Sequence, residues 1–359
     1  MRILMLCDHY PLSPRVNKIR NSIIKKYPES NVKVFVWNRE DKSIQEDYVE
    51  GFNQKLGYGN KIKKMFNLLL FMRKVKEQIK EYKPTHIHAI DLEMLITAKA
   101  LSNKEKIIYE VYDLKIFKNK IINKIREKIE FIILNQGIHG IILASPYFKE
   151  YYKEKIKNIN TIFINNKPAK SINIDFNSGY MDNYKDELKN YTVIGFVGTV
   201  RHEEILKKLI DAVEKIEKVK LIISGQGPCT DSLRTYIYNN KLEKQIIITG
   251  RYEQTDLLSI YSVCDYIWAA YPNDDLNVKY AISNKYFESI LFKRKIIVSE
   301  ETMLGNDVVS NKIGYTINPY NSNEIEKLLR TLDKKHEINN RENNLFWENE
   351  EDKIRYIYP

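Results

Sequence analysis

Short runs of β-branched and aliphatic residues alternate along this chain with longer stretches whose apolar positions recur every three or four residues. Strands are expected at residues 2–7, 32–37, 86–89, 106–111, 140–144 and 161–164. Helices are expected at 15–26, 61–82, 92–101, 118–135 and 147–155. The first of these helices places Val16, Ile19, Ile23 and Ile24 on one face. From 165 to 190 the pattern dissolves into polar, Asn- and Asp-rich sequence with Pro168 and Gly179, which reads as a linker. The alternation then restarts, with strands at 192–197, 220–224, 245–249, 266–270 and 295–298. Its helices fall at 203–217, 230–240, 254–263, 284–292 and 323–332. Strand–helix alternation of this kind predicts an α/β protein of two Rossmann-like, doubly wound parallel sheets. The expected domains are 1–170 and 191–340, joined by a linker at 171–190. Ligands of such sheets bind beyond the carboxyl ends of the strands, so a cleft between two facing halves is the expected site.

Composition narrows this picture only a little. A chain of 359 residues suits two domains, and 43% hydrophobic with 29% charged residues excludes a disordered chain. Cys7, Cys229 and Cys264 lack metal-ligand spacing, and Cys7 and Cys264 sit in apolar runs as small core residues. The apolar run at the amino terminus is broken by Asp8 and His9, and no run reaches the length of a membrane span. The expected location is therefore cytoplasmic, or at most peripheral on the inner face of the plasma membrane. A formal net charge of +11 calls for an anionic partner: nucleic acid, an anionic membrane surface or a phosphorylated small molecule.

Several strand ends carry recognisable motifs. Residues 13–16 read Ser-Pro-Arg-Val, 86–91 His-Ile-His-Ala-Ile-Asp, and 109–113 Tyr-Glu-Val-Tyr-Asp. In the second half, 195–201 read Gly-Phe-Val-Gly-Thr-Val-Arg, 222–228 Ile-Ile-Ser-Gly-Gln-Gly-Pro and 248–252 Ile-Thr-Gly-Arg-Tyr. Residues 281–288 read Ala-Ile-Ser-Asn-Lys-Tyr-Phe-Glu, and 346–348 Phe-Trp-Glu. In order and spacing these resemble the retaining GT-B glycosyltransferases of bacterial polysaccharide and glycoconjugate synthesis, the family-four group, over most of the chain. The 281–288 stretch is the most specific, being similar to the A-L-P-N-K-L-F-E-Y pattern of a sub-group. The resemblance implies a C-terminal helix at 341–359 that crosses back onto the first domain. It also implies retention of configuration, a glycan or lipid-linked acceptor, a role in cell-surface polysaccharide assembly, and no metal or cofactor beyond the nucleotide sugar, a UDP- or GDP-sugar.

The chemistry of a sugar nucleotide asks for particular residues. A diphosphate gains negative charge as the sugar leaves, and cations with a helix amino terminus stabilise it. Arg201 and Lys285 are placed for this, with Ser283 and Asn284 at the same helix start. Glu288 shares a helix face with Asn284 and Lys285. The resemblance implies that its carboxylate takes the ribose hydroxyls; an ordinary Glu–Lys helix pair is the other reading. Gly198, Gly225, Gly227 and Gly250 follow strands, where glycine lets backbone approach a ligand, and backbone around Arg251 and Tyr252 can read the base. Relatives often carry a donor-sugar Glu where this chain has Tyr280, which keeps open a catalytically idle, nucleotide-sugar-binding scaffold. The G-x-G-x-x-G of an NAD(P) or epimerase-type Rossmann enzyme is absent from both domain openings.

In the first half, His88, Asp91 and Asp113 are read at strand ends, as residues that orient or deprotonate an acceptor hydroxyl. Asp91 has a second reading as a helix N-cap, and His88 as a satisfied core histidine. Arg15 is read as a phosphate ligand of donor or acceptor, against a solvated surface Arg, and Asp91 as an acceptor contact. Asp274 and Asp275 read as a solvated turn rather than a metal pair. Two basic stretches stand out: Lys61, Lys63, Lys64, Arg73, Lys74, Lys76 and Lys80, then Lys115, Lys118, Lys120, Lys124, Arg126 and Lys128. Each reads either as a bilayer-binding face or as the solvated face of a helix packed on its sheet. No aromatic-plus-basic recognition motif supports nucleic acid as the partner.

Overall fold

The structure, a computed structural model, describes residues 1–55, 61–117, 119–170, 178–334, 338 and 344–358, with 61–65 described by backbone. Lys61, Lys63 and Lys64 as side chains, Lys118, part of the expected linker and the start of the expected C-terminal helix lie outside the described residues. The chain divides into two compact units, Met1–Asn166 with Trp347–Pro359, and Lys167–Phe346.

The first unit is built on seven strands: β1 (Arg2–Cys7), β2 (Asn31–Asn38), β3 (Val49–Asn53), β4 (His86–Ile90), β5 (Lys106–Val111), β6 (Gly140–Leu143) and β7 (Thr161–Phe163). All pair in parallel in the order β3-β2-β1-β4-β5-β6-β7. Its helices are α1 (Pro14–Lys26), α2 (Lys61–Tyr82), α3 (Asp91–Leu101), α4 (Lys120–Asn135) and α5 (Phe148–Tyr152). Central strand β4 is buried along its whole length and β1 from its second residue on, as a parallel sheet covered on both faces requires. Strand order reverses at β1, so the carboxyl ends of β1 and β4 flank a switch point.

The last residues of this unit form two 3₁₀ turns, Trp347–Asn349 and Glu351–Tyr356, where an α-helix was expected. Their backbone bonds run to the third residue, from Glu350 N to Trp347 O and from Lys353 N to Glu350 O. The segment is fastened by side chains instead. Trp347 Nε1 donates to Ser22 Oγ at 2.8 Å, Asn165 N donates to Glu350 Oε2 at 3.0 Å, and Ile354, Ile357 and Tyr358 are fully buried.

The second unit begins with α6 (Asp182–Leu188), a helix inside the stretch read as linker. Leu188 and the preceding Met181 are buried in the core of this unit, which explains why a polar segment takes regular structure. There follow β8 (Thr192–Val197), α7 (Glu203–Glu214), β9 (Val219–Ser224), α8 (Thr230–Asn239), β10 (Ile246–Gly250), α9 (Leu257–Val263) and β11 (Tyr266–Ala269). Then come α10 (Leu276–Tyr280), α11 (Asn284–Leu291), β12 (Lys295–Ser299), α12 (Met303–Ser310), β13 (Gly314–Ile317) and α13 (Ser322–Arg330). The sheet is parallel, in the order β10-β9-β8-β11-β12-β13. Strand alternation divides its core between the two faces. Ile194, Phe196, Ile223 and Trp268 pack on one, and Val193, Val197, Ile222 and Ile267 on the other.

Candidate functional site

Three strands of the second unit deliver glycines to one place. Gly198 follows β8, Gly225 follows β9, and Gly250 closes β10, with φ of 140°, 143° and 86°, all conformations that a side chain disfavours. The strand ends are tied by backbone: Gly198 N donates to Ser224 O at 2.9 Å, and Gly225 N to Gly250 O at 2.7 Å. A Cβ on Gly225 would lie 1.8 Å from Gly198 O, and one on Gly227 would lie 2.4 Å from Val200 O. The loops therefore pack main chain against main chain, and a cavity of about 440 Å³ opens on Gly198, Thr199, and residues 225–227 and 251–253. Arg251 Nε donates to Gln226 Oε1 at 2.7 Å, and Tyr180 Oη donates to Arg251 O at 2.9 Å, so the wall opposite the glycines is held in place.

This packing makes a direct prediction. Gly225→Ala forces a side chain into a strained backbone and onto a carbonyl, so stability should fall by at least about 1–3 kcal/mol. A urea melt tests it; a midpoint equal to that of the unaltered protein would contradict the backbone packing described.

Helix α11 brings the charged groups. Ser283 caps it, its Oγ accepting from Lys285 N at 3.3 Å, and exposed Asn284 is its first residue. Lys285 Nζ donates to Glu288 Oε2 at 2.8 Å, and buried Tyr261 donates its hydroxyl to the same oxygen at 2.7 Å. Glu288 Oε1 has no hydrogen-bond partner among the described residues. The Lys285 stem runs over the Gly198 loop, its Cε 3.6 Å from where a Cβ of Gly198 would stand. Burial opposes the Lys285 charge, but Glu288, with Tyr252 and Tyr271 nearby, holds its pKa well above the usual lysine value. Arg201 is exposed and forms no ion pair among the described residues. Of the donor residues read from sequence, Gly198, Gly225, Gly227, Arg251 and Tyr252 line the cavity, Lys285 adjoins it, and Glu288 is bonded to Lys285.

The first unit gathers a different cluster at its switch point. Asp91 is the first residue of α3, with a left-handed φ of 64°. The residue in the N-cap position is Ile90, so Asp91 does not cap α3. Its carboxylate instead accepts from Tyr112 N at 3.3 Å and pairs with Lys115 at 3.0 Å. Lys115 also reaches Asp8, just past β1, at 3.2 Å; Asp8 lies 2.8 Å from His9 Nδ1, and Arg39 is 3.8 Å away. Burial pushes the Asp91 carboxyl up to about 6 against the pull of Lys115. For Asp8, burial is outweighed by His9, Lys115 and Arg39, which hold its carboxyl well below the usual range. Asp8 and Lys115 were not assigned to a site from sequence. The signal available was a carboxylate directly after an apolar strand, the same one that marked Asp91. Asp113 is exposed near the end of β5.

His88 and Arg15 belong elsewhere. His88 lies in the middle of β4, fully buried, rather than at an open strand end, because the strand continues to Ile90. Its Nε2 is 2.7 Å from Glu110 Oε2 and its Nδ1 faces Tyr358 Oη. Arg15 is also buried rather than a solvated cation: Nε donates to Glu110 Oε1 at 2.8 Å and Nη1 to Ile164 O at 2.7 Å, while Nη2 has no hydrogen-bond partner among the described residues. Both side chains are drawn inward by the buried carboxylate of Glu110. In the second unit, Asp275 caps α10 and Asp274 accepts from Tyr320 Oη. Among the described residues, no group of three His, Cys, Asp or Glu side chains is arranged to hold a metal ion.

Two parallel, doubly wound sheets, the second with its glycine-lined cavity, define the GT-B fold. Residues 182–344 match the family model described as glycosyl transferases group 1. Sucrose-phosphate synthase from Thermosynechococcus elongatus is similar in structure with a TM-score of 0.72 at 13% identity, over 100% of this chain and 95% of that one. A glycosyltransferase from Rickettsia africae aligns with a TM-score of 0.69 at 14% identity, over 99% and 97%. HepE of Anabaena, solved in complex with UDP, aligns with a TM-score of 0.67 at 17% identity, over 92% and 89%. No curated protein sequence matches the chain.

Proposed function

We propose that the protein is a glycosyltransferase that takes its sugar from a nucleotide diphosphate, a UDP- or GDP-sugar. The observation that carries this reading is the largely buried Lys285–Glu288 pair at the start of α11, beside the cavity lined by Gly198, Gly225 and Gly227. The family match over 182–344 supports glycosyl transfer as the chemistry. In this reading the diphosphate lies on the glycine loops, where Lys285, Arg201 and the α11 amino terminus offset the charge that develops as the sugar leaves. Those cations do the work without a metal or further cofactor. Glu288 Oε1 accepts from the ribose, and the backbone at Arg251 and Tyr252 meets the base. HepE has been solved with UDP-glucose, which makes UDP the first nucleotide to try. The acceptor is a glycan or a lipid-linked sugar of cell-surface polysaccharide, handled by Asp91, with Asp113 nearby, and transfer proceeds with retention. His88 acts only as a positioning residue, through Glu110.

A thermal-shift screen against UDP, GDP, CDP, ADP, their sugar conjugates and NAD(P) tests the donor site. One nucleotide diphosphate at a hundred times its Kd should add about 2.7 kcal/mol of stability. The gain should vanish in Glu288→Ala and Arg201→Ala. A response to NAD(P) alone, or to none of them, would overturn the reading.

A further inference from the structure

The two basic helices of the first unit are not alike. Helix α2 turns Phe71, Val75 and Ile79 into the core and sets Arg73 and Lys74 beside Glu77, leaving Phe66 and Leu69 exposed near its start. Helix α4 does something a packed helix has no reason to do. Ile121, Ile125, Ile129 and Ile132 recur at intervals of four, four and three, so they form one stripe along the helix. That stripe faces water: Ile121 is 70% exposed and Ile125 55%, with Phe117 and Phe131 also exposed beside it. Isolated surface isoleucines need no explanation, but a contiguous row of this length marks a surface that something covers.

The charges around the stripe say what covers it. Lys120, Lys124 and Lys128 are all exposed and follow one edge of the stripe at intervals of four. Both carboxylates of the helix are occupied by the protein. Glu130 is buried and accepts from Tyr109 at 2.8 Å and Tyr152 at 2.7 Å; Glu127 accepts from Asn123 and Tyr151, each at 3.0 Å. Arg126 is buried as well, donating to Tyr151 Oη and lying 3.5 Å from Glu130. The helix start is fixed by Asn119 Oδ1, which accepts from Ile121 N and Ile122 N. The outward face is therefore isoleucine edged by lysine, on a helix held rigidly by its inward face.

We propose that this face of α4 docks on an anionic lipid bilayer, the isoleucine stripe entering the headgroup–acyl boundary and the lysines resting on lipid phosphates. A bilayer supplies both things the face lacks, an apolar interior and negative charge at its edge. A second copy meeting this one through the same face supplies only the first, since among the described residues α4 brings its own lysines while its two carboxylates are engaged within the protein. The inference stands independently of the donor site.

Flotation of the full-length protein with vesicles tests it. Binding is expected to phosphatidylcholine vesicles containing a third phosphatidylglycerol, and not to phosphatidylcholine alone. Ile121→Asp with Ile125→Asp should weaken binding at least tenfold. Lys120→Ala, Lys124→Ala and Lys128→Ala together should weaken it and remove most of its salt dependence. Since these side chains are exposed, the melting midpoint should stay put, which separates lost docking from lost folding. Equal flotation of the unaltered protein and the Ile→Asp variant would overturn the proposal. So would a concentration-dependent dimer, abolished by the same substitutions, in a protein that floats with neither kind of vesicle.

Discussion

Replacing Lys285 by methionine is expected to lower the rate of sugar transfer about 10²–10³-fold, the cost of removing one preorganised donor from a developing anion, about 2.7–4 kcal/mol. Methionine keeps the stem that runs over the Gly198 loop and deletes only the charge, so packing near the cavity is preserved. Glu288 loses one partner but retains the Tyr261 hydroxyl, which limits the loss of stability. Because Glu288 and the neighbouring tyrosines hold the Lys285 pKa above its usual value, the ammonium stays charged throughout the neutral range. Its contribution should then be flat with pH until well above pH 10. The measurement is donor turnover by the folded variant, with nucleotide affinity followed separately. Turnover within threefold of the unaltered enzyme would remove Lys285 from the transition state and leave it as a structural partner of Glu288.

The sheet cores were legible because buried parallel strands read as unbroken apolar runs, as in Thr192–Val197 and Tyr266–Ala269. The strands that went unread, Val49–Asn53 and Gly314–Ile317, lie at sheet edges, are partly exposed and carry glycine. In each, packing required the glycine: a Cβ on Gly51 would meet Ile44, and one on Gly314 would meet the Ile296 carbonyl. The glycine turns and the α11 start of the candidate donor site were readable because backbone chemistry there depends on residue type at fixed spacing. The first-unit cluster was only half readable. Asp91 follows an apolar run, but its partner Lys115 looks like any other lysine in a lysine-rich chain, and only the fold brings the end of β1 beside it. Likewise, a histidine alternating with Ile87 carries no sign of facing inward until Glu110 is known to lie opposite.

That buried carboxylate supports the second large expectation, a loss of about 3–5 kcal/mol of stability in Glu110→Ala. Glu110 is fully enclosed on β5, with Arg15 on one oxygen and His88 on the other, and His88 in turn faces Tyr358 at the end of the chain. Alanine would leave the Arg15 guanidinium buried with the Ile164 carbonyl as its remaining hydrogen-bond acceptor. Breaking one side of such a pair costs more than the pair contributes, since the surviving charge can neither find water nor a counterion. The pH dependence has a definite sign. Burial alone would raise the Glu110 pKa, but Arg15 and His88 outweigh it and hold it below the ordinary value. A depressed carboxylate stabilises the fold fully above its unfolded pKa, about 4.3, and that stability is lost as pH falls through the folded value. Urea melts of the unaltered protein should therefore weaken on acidification below about pH 4.3, and those of Glu110→Gln should weaken less. All of these residues lie in the first unit, so nucleotide binding by the second unit should survive at temperatures where Glu110→Ala remains folded. A destabilisation under about 1 kcal/mol in Glu110→Ala would mean that water or a rearranged Arg15 satisfies the site, and that the network is not what holds the chain terminus in the core.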